Sequence, residues 1–124
     1  MKKNNAYLLL LLLPFFVLSQ ELPPIENYTS KEYGAENQNW RIFQSDERNI
    51  YVANNSGLLE FNGAKWKLYP SPNNTILRSV NVVGSKVYTG CYMEFGYWSR
   101  QTNGKLIYTS LSQSIKNKIE DEEI

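Results

Sequence analysis

The sequence predicts an all-β chain, a partial β-propeller of about two four-stranded blades, behind an N-terminal signal peptide. Three observations predict it. A short basic start runs into an apolar stretch that ends in small residues. Beyond it, short aromatic and β-branched runs alternate with turns rich in Asn and Gly. The order of those runs then recurs after about 40 residues, the repeat length of propeller blades.

The export signal comes first. Lys2 and Lys3 precede an almost unbroken apolar run, Ala6 to Leu18, and Val17-Leu18-Ser19 closes it. This is the three-part pattern of a secretory signal peptide, with cleavage expected after Ser19 and Gln20 as the new N-terminus. A membrane-spanning helix needs about 20 apolar residues, whereas this run is shorter and is broken by Pro14. No Cys follows it closely, which argues against a lipid-anchored N-terminus.

About 105 residues remain, enough for one small domain. The full chain, with 42% hydrophobic residues, nine Tyr, five Phe and three Trp, has a core to bury and a bias toward strands. Loss of Lys2 and Lys3 leaves 11 basic against 12 acidic side chains. That balance gives no electrostatic footprint for nucleic acid or anionic membrane, so no direct nucleic-acid contact is expected. The absence of His removes the commonest general base and metal ligand. The lone Cys91 cannot form an internal disulfide.

Residues 20–39 read as an extended lead-in, because Pro23-Pro24 disfavours helix. Residues 40–72 read as a first blade. Its strands are Trp40–Gln44, Asn49–Ala53, Leu58–Phe61 and Lys65–Tyr69, with turns at Ser45–Arg48, Asn54–Gly57 and Asn62-Gly63. Alternation places Trp66 and Leu68 on one face. Residues 73–111 read as a second blade with strands Ile76–Val83, Lys86–Gly90, Phe95–Trp98 and Lys105–Thr109, and a hairpin turn at Asn103-Gly104. At a constant spacing of 37, Trp40 pairs with Leu77, Arg41 with Arg78, Tyr51 with Tyr88 and Phe61 with Trp98. The second unit has a few extra residues before its Asn-Gly. An antiparallel sandwich with a chance repeat is the alternative architecture.

Three segments, Ile42–Asp46, Asn49–Asn54 and Gly57–Gly63, resemble the two-component regulator propeller repeat. Val87–Gly90, Glu94–Trp98 and Leu106–Leu111 resemble a second blade of the same sensors. The resemblance spans about residues 27–111. It departs from the repeat at Met93-Glu94, which stand where the first unit has Ser56-Gly57. It implies a protein of Bacteroidetes-type bacteria, located in the periplasm or cell envelope of a Gram-negative cell. There the propeller is followed by a triple-tyrosine module, a membrane helix and a signalling or helix-turn-helix part. Two blades do not close a ring, so residues 112–124 read as a linker toward a third blade of the same longer chain.

The residue types argue for binding rather than catalysis. Cys91 lacks any His to activate it and reads as a structural thiol. Glu60 and Glu94, a conceivable carboxylate pair for glycoside cleavage, sit at non-equivalent repeat positions. Sequons at Asn27, Asn54 and Asn73 read as incidental in an Asn-rich chain, and the C-terminal acidic run as a solvated face. No cofactor or metal is expected. In propeller order, the turns after each second strand share one rim. Asn54, Asn55 and Ser56 would then lie beside Cys91, Tyr92, Met93 and Glu94, a set suited to an oligosaccharide or other small extracellular ligand. The expected function is the extracytoplasmic ligand-sensing segment of a signal-transducing, transcription-regulating protein. The alternative is a secreted propeller scaffold without signalling output.

Overall fold

The computed structural model describes residues 21–118. The expected signal peptide over residues 1–19 and the end of the expected linker lie outside them. Within the lead-in, extended chain gives way to one helical turn, α1 (Ser30–Tyr33). The extended reading of 20–39 passed over its start signal, Thr29-x-x-Glu32. The Glu32 carboxylate accepts from the Thr29 amide at 2.6 Å and from its hydroxyl at 2.8 Å, a capping box. Those bonds hold Glu32 below the usual carboxylate range. Gly34, at φ 69°, ends the turn in the left-handed region.

Eight strands follow, as the residue pattern predicts, each within two residues of its expected bounds. They are β1 (Asn39–Gln44), β2 (Ile50–Asn54), β3 (Gly57–Phe61), β4 (Trp66–Pro70), β5 (Leu77–Val83), β6 (Lys86–Cys91), β7 (Glu94–Arg100) and β8 (Leu106–Ser110). They form two four-stranded antiparallel sheets, β1-β2-β3-β4 and β5-β6-β7-β8, each in simple chain order. A 3₁₀ helix, Ser112–Lys118, follows β8.

The ladder register fixes which residues of the two sheets correspond. Ile50 pairs Phe61, and Val87 pairs Trp98, so β2/β6 and β3/β7 keep the expected spacing of 37. The first strands depart from it. Ile42 pairs Val52 and Val80 pairs Thr89, which sets β1 and β5 38 apart. Arg41 therefore corresponds to Ser79, not to Arg78, and Trp40 and Arg78 both occupy the bulge of their strand. The cause is the turn after the strand. Five residues, Ser45–Asn49, separate the paired Gln44 and Ile50, whereas four, Val83–Lys86, separate their paired counterparts Val82 and Val87. Beyond β7 the extra residues lengthen a hairpin. Ser99 pairs Ile107 and Arg100 pairs Leu106, two residue pairs farther than the first sheet reaches.

The core lies between the sheets. Tyr51, Ala53, Leu58 and Tyr69 from the first sheet pack with Val80, Val87, Trp98 and Leu106 from the second. β5 lies against β1 and β2. Burying such side chains is the main stabilising term. The buried faces are not equivalent. The first sheet buries its Tyr51 side, while the second leaves the matching Tyr88 side outward and buries the Val87 and Trp98 side. The sheets thus stack in the same orientation, back onto front.

Polar bonds cross the core boundary. The Arg100 guanidinium on the lengthened hairpin donates to the Glu60 carboxylate and, at 3.1 Å, to the Tyr51 hydroxyl. Trp98 Nε1 donates to the Thr89 hydroxyl at 2.9 Å. Tyr28 and Tyr33 of the lead-in pack on Phe61 and Trp66, on the outward face of the first sheet.

Candidate functional site

Two turns meet at one end of the sheets, the β2–β3 turn at Asn54–Gly57 and the β6–β7 turn at Cys91–Glu94. Each is pinned by one residue from a preceding segment. Glu36 holds the first. Its carbonyl accepts from Asn54 Nδ2 at 2.7 Å, its amide donates to the Ser56 hydroxyl at 3.1 Å, and its carboxylate accepts from Asn55 Nδ2 at 2.9 Å. Asn73 holds the second. Its Nδ2 donates to the Tyr92 carbonyl at 2.7 Å, and its Oδ1 accepts from the Thr75 hydroxyl at 2.6 Å and the Cys91 thiol at 3.3 Å.

The sequence-predicted residues divide sharply here. Asn54 is fully buried and spends its side chain on Glu36, on Asn39 Oδ1 and on the Ser56 amide. Glu94 is buried as well, with its carboxylate accepting from the Tyr108 hydroxyl at 2.9 Å. Burial, and then that carboxylate, push the Tyr108 hydroxyl far above the usual tyrosine range. Burial likewise pushes the Cys91 thiol up, which leaves it a poor nucleophile. Ser56 binds the Glu36 backbone. Asn55 and Tyr92 come together at the surface. Asn54 and Glu94 turn into the protein instead.

Between Asn55 and Tyr92 opens a cleft of about 370 Å³, completed by Glu36, Asn74, Thr75 and Ile76. Trp40 stands beside it. Its indole N–H donates to Asn55 Oδ1 at 2.8 Å, and Arg78 lies 4.3 Å over its ring. Asn55 keeps one N–H and one lone pair free of these bonds, and the Glu36 carboxylate keeps further acceptor capacity. Tyr92 is 39% exposed and presents ring surface. Amide, carboxylate and aromatic face together suit a neutral polyhydroxylated ligand: hydroxyls bond the polar groups, and a sugar's C–H face rests on the ring.

Sequence reasoning missed Glu36, Asn74 and Thr75. The Asn73-Asn74-Thr75 run carried a turn signal, and Asn74 does adopt φ 59°. Nothing in the sequence marked Glu36, whose role depends on where the lead-in docks. Among the described residues no group of three or more His, Cys, Asp or Glu is placed to hold a metal ion. Comparison with protein-family models, with curated proteins and with solved structures finds no match.

Proposed function

We propose that the two sheets are neighbouring blades of a β-propeller, and that the chain is the non-catalytic, extracytoplasmic ligand-sensing segment of a bacterial signal-transduction protein that regulates transcription. The back-onto-front stacking supports the propeller over a sandwich. Blades related by one repeated rotation each bury the opposite face of the next, whereas a sandwich turns two inner faces toward each other. The resemblance of Gly57–Gly63 and Glu94–Trp98 to the sensor repeat supports the signalling role.

The observation that carries the binding reading is the cleft joining Asn55 of one unit to Tyr92 of the next. A ligand seated there spans two blades and couples to their relative position. Neutral oligosaccharides fit its chemistry best. The test is a titration of a panel of neutral oligosaccharides into the protein, followed by calorimetry and by chemical-shift changes. Binding of one member, weakened at least tenfold by Tyr92→Ala with an unchanged melt, is expected. No binding across the panel, or equal binding by the variant, removes this cleft as the ligand site. Loss of inducer-dependent reporter output in the same variant distinguishes a sensor from a secreted scaffold.

A further inference from the structure

Two hairpins turn on the same dipeptide, Asn62-Gly63 between β3 and β4 and Asn103-Gly104 between β7 and β8. Both asparagines are exposed. Both glycines hold positive φ, 91° and 80°, with open space around them. Sequence and access therefore treat the two alike, but their hydrogen bonds do not. Asn62 Oδ1 accepts from two backbone amides, Ala64 at 3.0 Å and Lys65 at 2.9 Å. Asn103 Oδ1 accepts from one, Lys105 at 3.0 Å. The Gly104 N–H donates to the Gln101 carbonyl at 2.9 Å, whereas the Gly63 N–H has no partner among the described residues.

An asparagine before glycine carries a latent reaction, attack of the next backbone nitrogen on the side-chain Cγ. The rate depends on that nitrogen and on the carbonyl oxygen that takes up the developing charge. At Asn62 two backbone N–H groups already point at that oxygen, which is the arrangement of an oxyanion hole. The Gly63 nitrogen is open to solvent and loses its proton there without first breaking a protein hydrogen bond. At Asn103 both terms are worse. One donor faces Oδ1, and the Gly104 nitrogen has to give up its bond to Gln101 before it can attack. The Gly104 carbonyl is held as well, accepting from Arg100 Nη1 at 2.8 Å.

We propose that Asn62 is a site of spontaneous deamidation promoted by its own turn, and that the turn at Asn103 protects that residue. The Gly63 nitrogen bonds to Asn62 Cγ as its proton passes to solvent base. The charge collects on Oδ1 under the Ala64 and Lys65 amides. The Cγ–Nδ2 bond then breaks, Nδ2 takes a proton from water and leaves as ammonia, and a succinimide remains. Water opens that ring at Cγ to give aspartate, or at the main-chain carbonyl to give isoaspartate. The sum is amide plus water to acid plus ammonia, with no cofactor and no redox change. Asn62 lines a pocket of about 270 Å³ together with Glu60, Lys65, Lys67 and Arg100. Either product therefore adds a carboxylate near the Arg100–Glu60 pair that ties the sheets. Isoaspartate also lengthens the backbone of the β3–β4 turn by one carbon. The inference is independent of the rim ligand.

Peptide mapping by mass spectrometry tests it on the full chain, incubated in mildly alkaline buffer, with the same chain unfolded in guanidinium chloride as the reference. In the folded chain Asn62 is expected to convert about tenfold faster than Asn103 or more. One oxyanion-hole donor is worth about 100-fold in an enzyme, and a solvated turn returns less of it. Both aspartate and isoaspartate are expected at position 62, since the ring opens at either carbonyl. Unfolding removes both sets of hydrogen bonds, so it should slow Asn62, speed Asn103 and bring the two rates together. Equal rates in the folded chain overturn the proposal. A ratio unchanged by unfolding overturns it too, because the neighbouring residues alone would then set the rates. Asn62 reacting more slowly folded than unfolded would show that its turn shields it. Aspartate without isoaspartate would mean direct hydrolysis by water and not attack by Gly63.

Discussion

Arg100 of the second sheet ties itself to Glu60 of the first, and the Glu60 side chain is only 8% exposed. The extended β7–β8 hairpin is what carries the guanidinium that far. Glu60 holds Arg100 firmly protonated against the opposing effect of partial burial. The pair exists because the two sheets have met. Arg100→Met leaves a nearly buried carboxylate without its partner, and a loss of about 2 kcal/mol is expected, discounted for the partial exposure of the arginine. Glu60→Gln in the same chain should recover part of it. Urea unfolding of the four members of the cycle measures the coupling. Additive losses would show that the pair does not hold the sheets together.

The two turns of the rim solve the same problem with different residues. Gly57, at φ 143°, allows the turn to lie against β4, where a Cβ would meet Ser71 N at 2.7 Å and Pro70 C at 2.9 Å. Gly57→Ala is therefore expected to cost about 3 kcal/mol or more, since backbone strain and backbone overlap add. At Gly84, with open space around it and φ 59°, the same change should cost only about 1 kcal/mol. Thermal melts of the two variants compare them directly.

Met93 is the non-glycine residue that bears the strain in the second turn, at φ 56°. Met93→Gly should relieve it and leave stability unchanged or raised by up to about 1 kcal/mol. A clear drop in the melting temperature would show that the half-buried Met93 side chain matters more than its backbone.

Alkali should destabilise the fold through two tyrosines. The hydroxyls of Tyr108 and Tyr51 are both raised in the fold, chiefly by burial, from an ordinary value of 10.0. A raised folded value means that the stabilising contribution is complete below that ordinary value. It is lost as pH climbs above 10.0, where the unfolded chain releases protons that the folded chain keeps. Tyr108→Phe should flatten the fall in stability above pH 10 while lowering stability at pH 7, because the hydroxyl bond to Glu94 is gone. An unchanged alkaline slope would assign the effect to other groups.

The eight strands were legible because each is a short apolar run between turn residues, such as Asn62-Gly63 after Phe61. The spacing of the repeat was legible for Tyr51 and Tyr88 but not for Arg41. One extra residue in Ser45–Asn49 shifts the first strand, and letters alone favour the false Arg41/Arg78 identity. At the rim, the pairing of Asn55 with Tyr92 followed from turn order. The burial of Asn54 and Glu94 did not, because a residue at a strand end faces in or out according to which face of its sheet is covered. That in turn is decided by how the sheets stack. Asn at a turn also reads as exposed, although Asn54 here bonds two backbone groups, the Glu36 carbonyl and the Ser56 amide, and the Asn39 side chain.

This division gives the rim a test that needs no ligand. Asn54 is fully buried, and its Nδ2 closes the first turn by donating to the Glu36 carbonyl and to Asn39 Oδ1. Asn54→Ala strands the Asn39 and Glu36 acceptors and should cost about 2 kcal/mol or more. Glu94→Gln weakens a buried charge-assisted bond to Tyr108 and should also lower the melting temperature. Tyr92→Ala removes an exposed ring, while the carbonyl that Asn73 binds remains in place. It should change stability by no more than about 0.5 kcal/mol. Asn55→Ala falls between, because its partners Trp40 and Glu36 remain open to water. The order Asn54, Glu94, Asn55, Tyr92 in falling cost is the expected result of four thermal melts. A Tyr92→Ala loss as large as that of Asn54→Ala would make the ring a structural prop and take it out of the ligand surface.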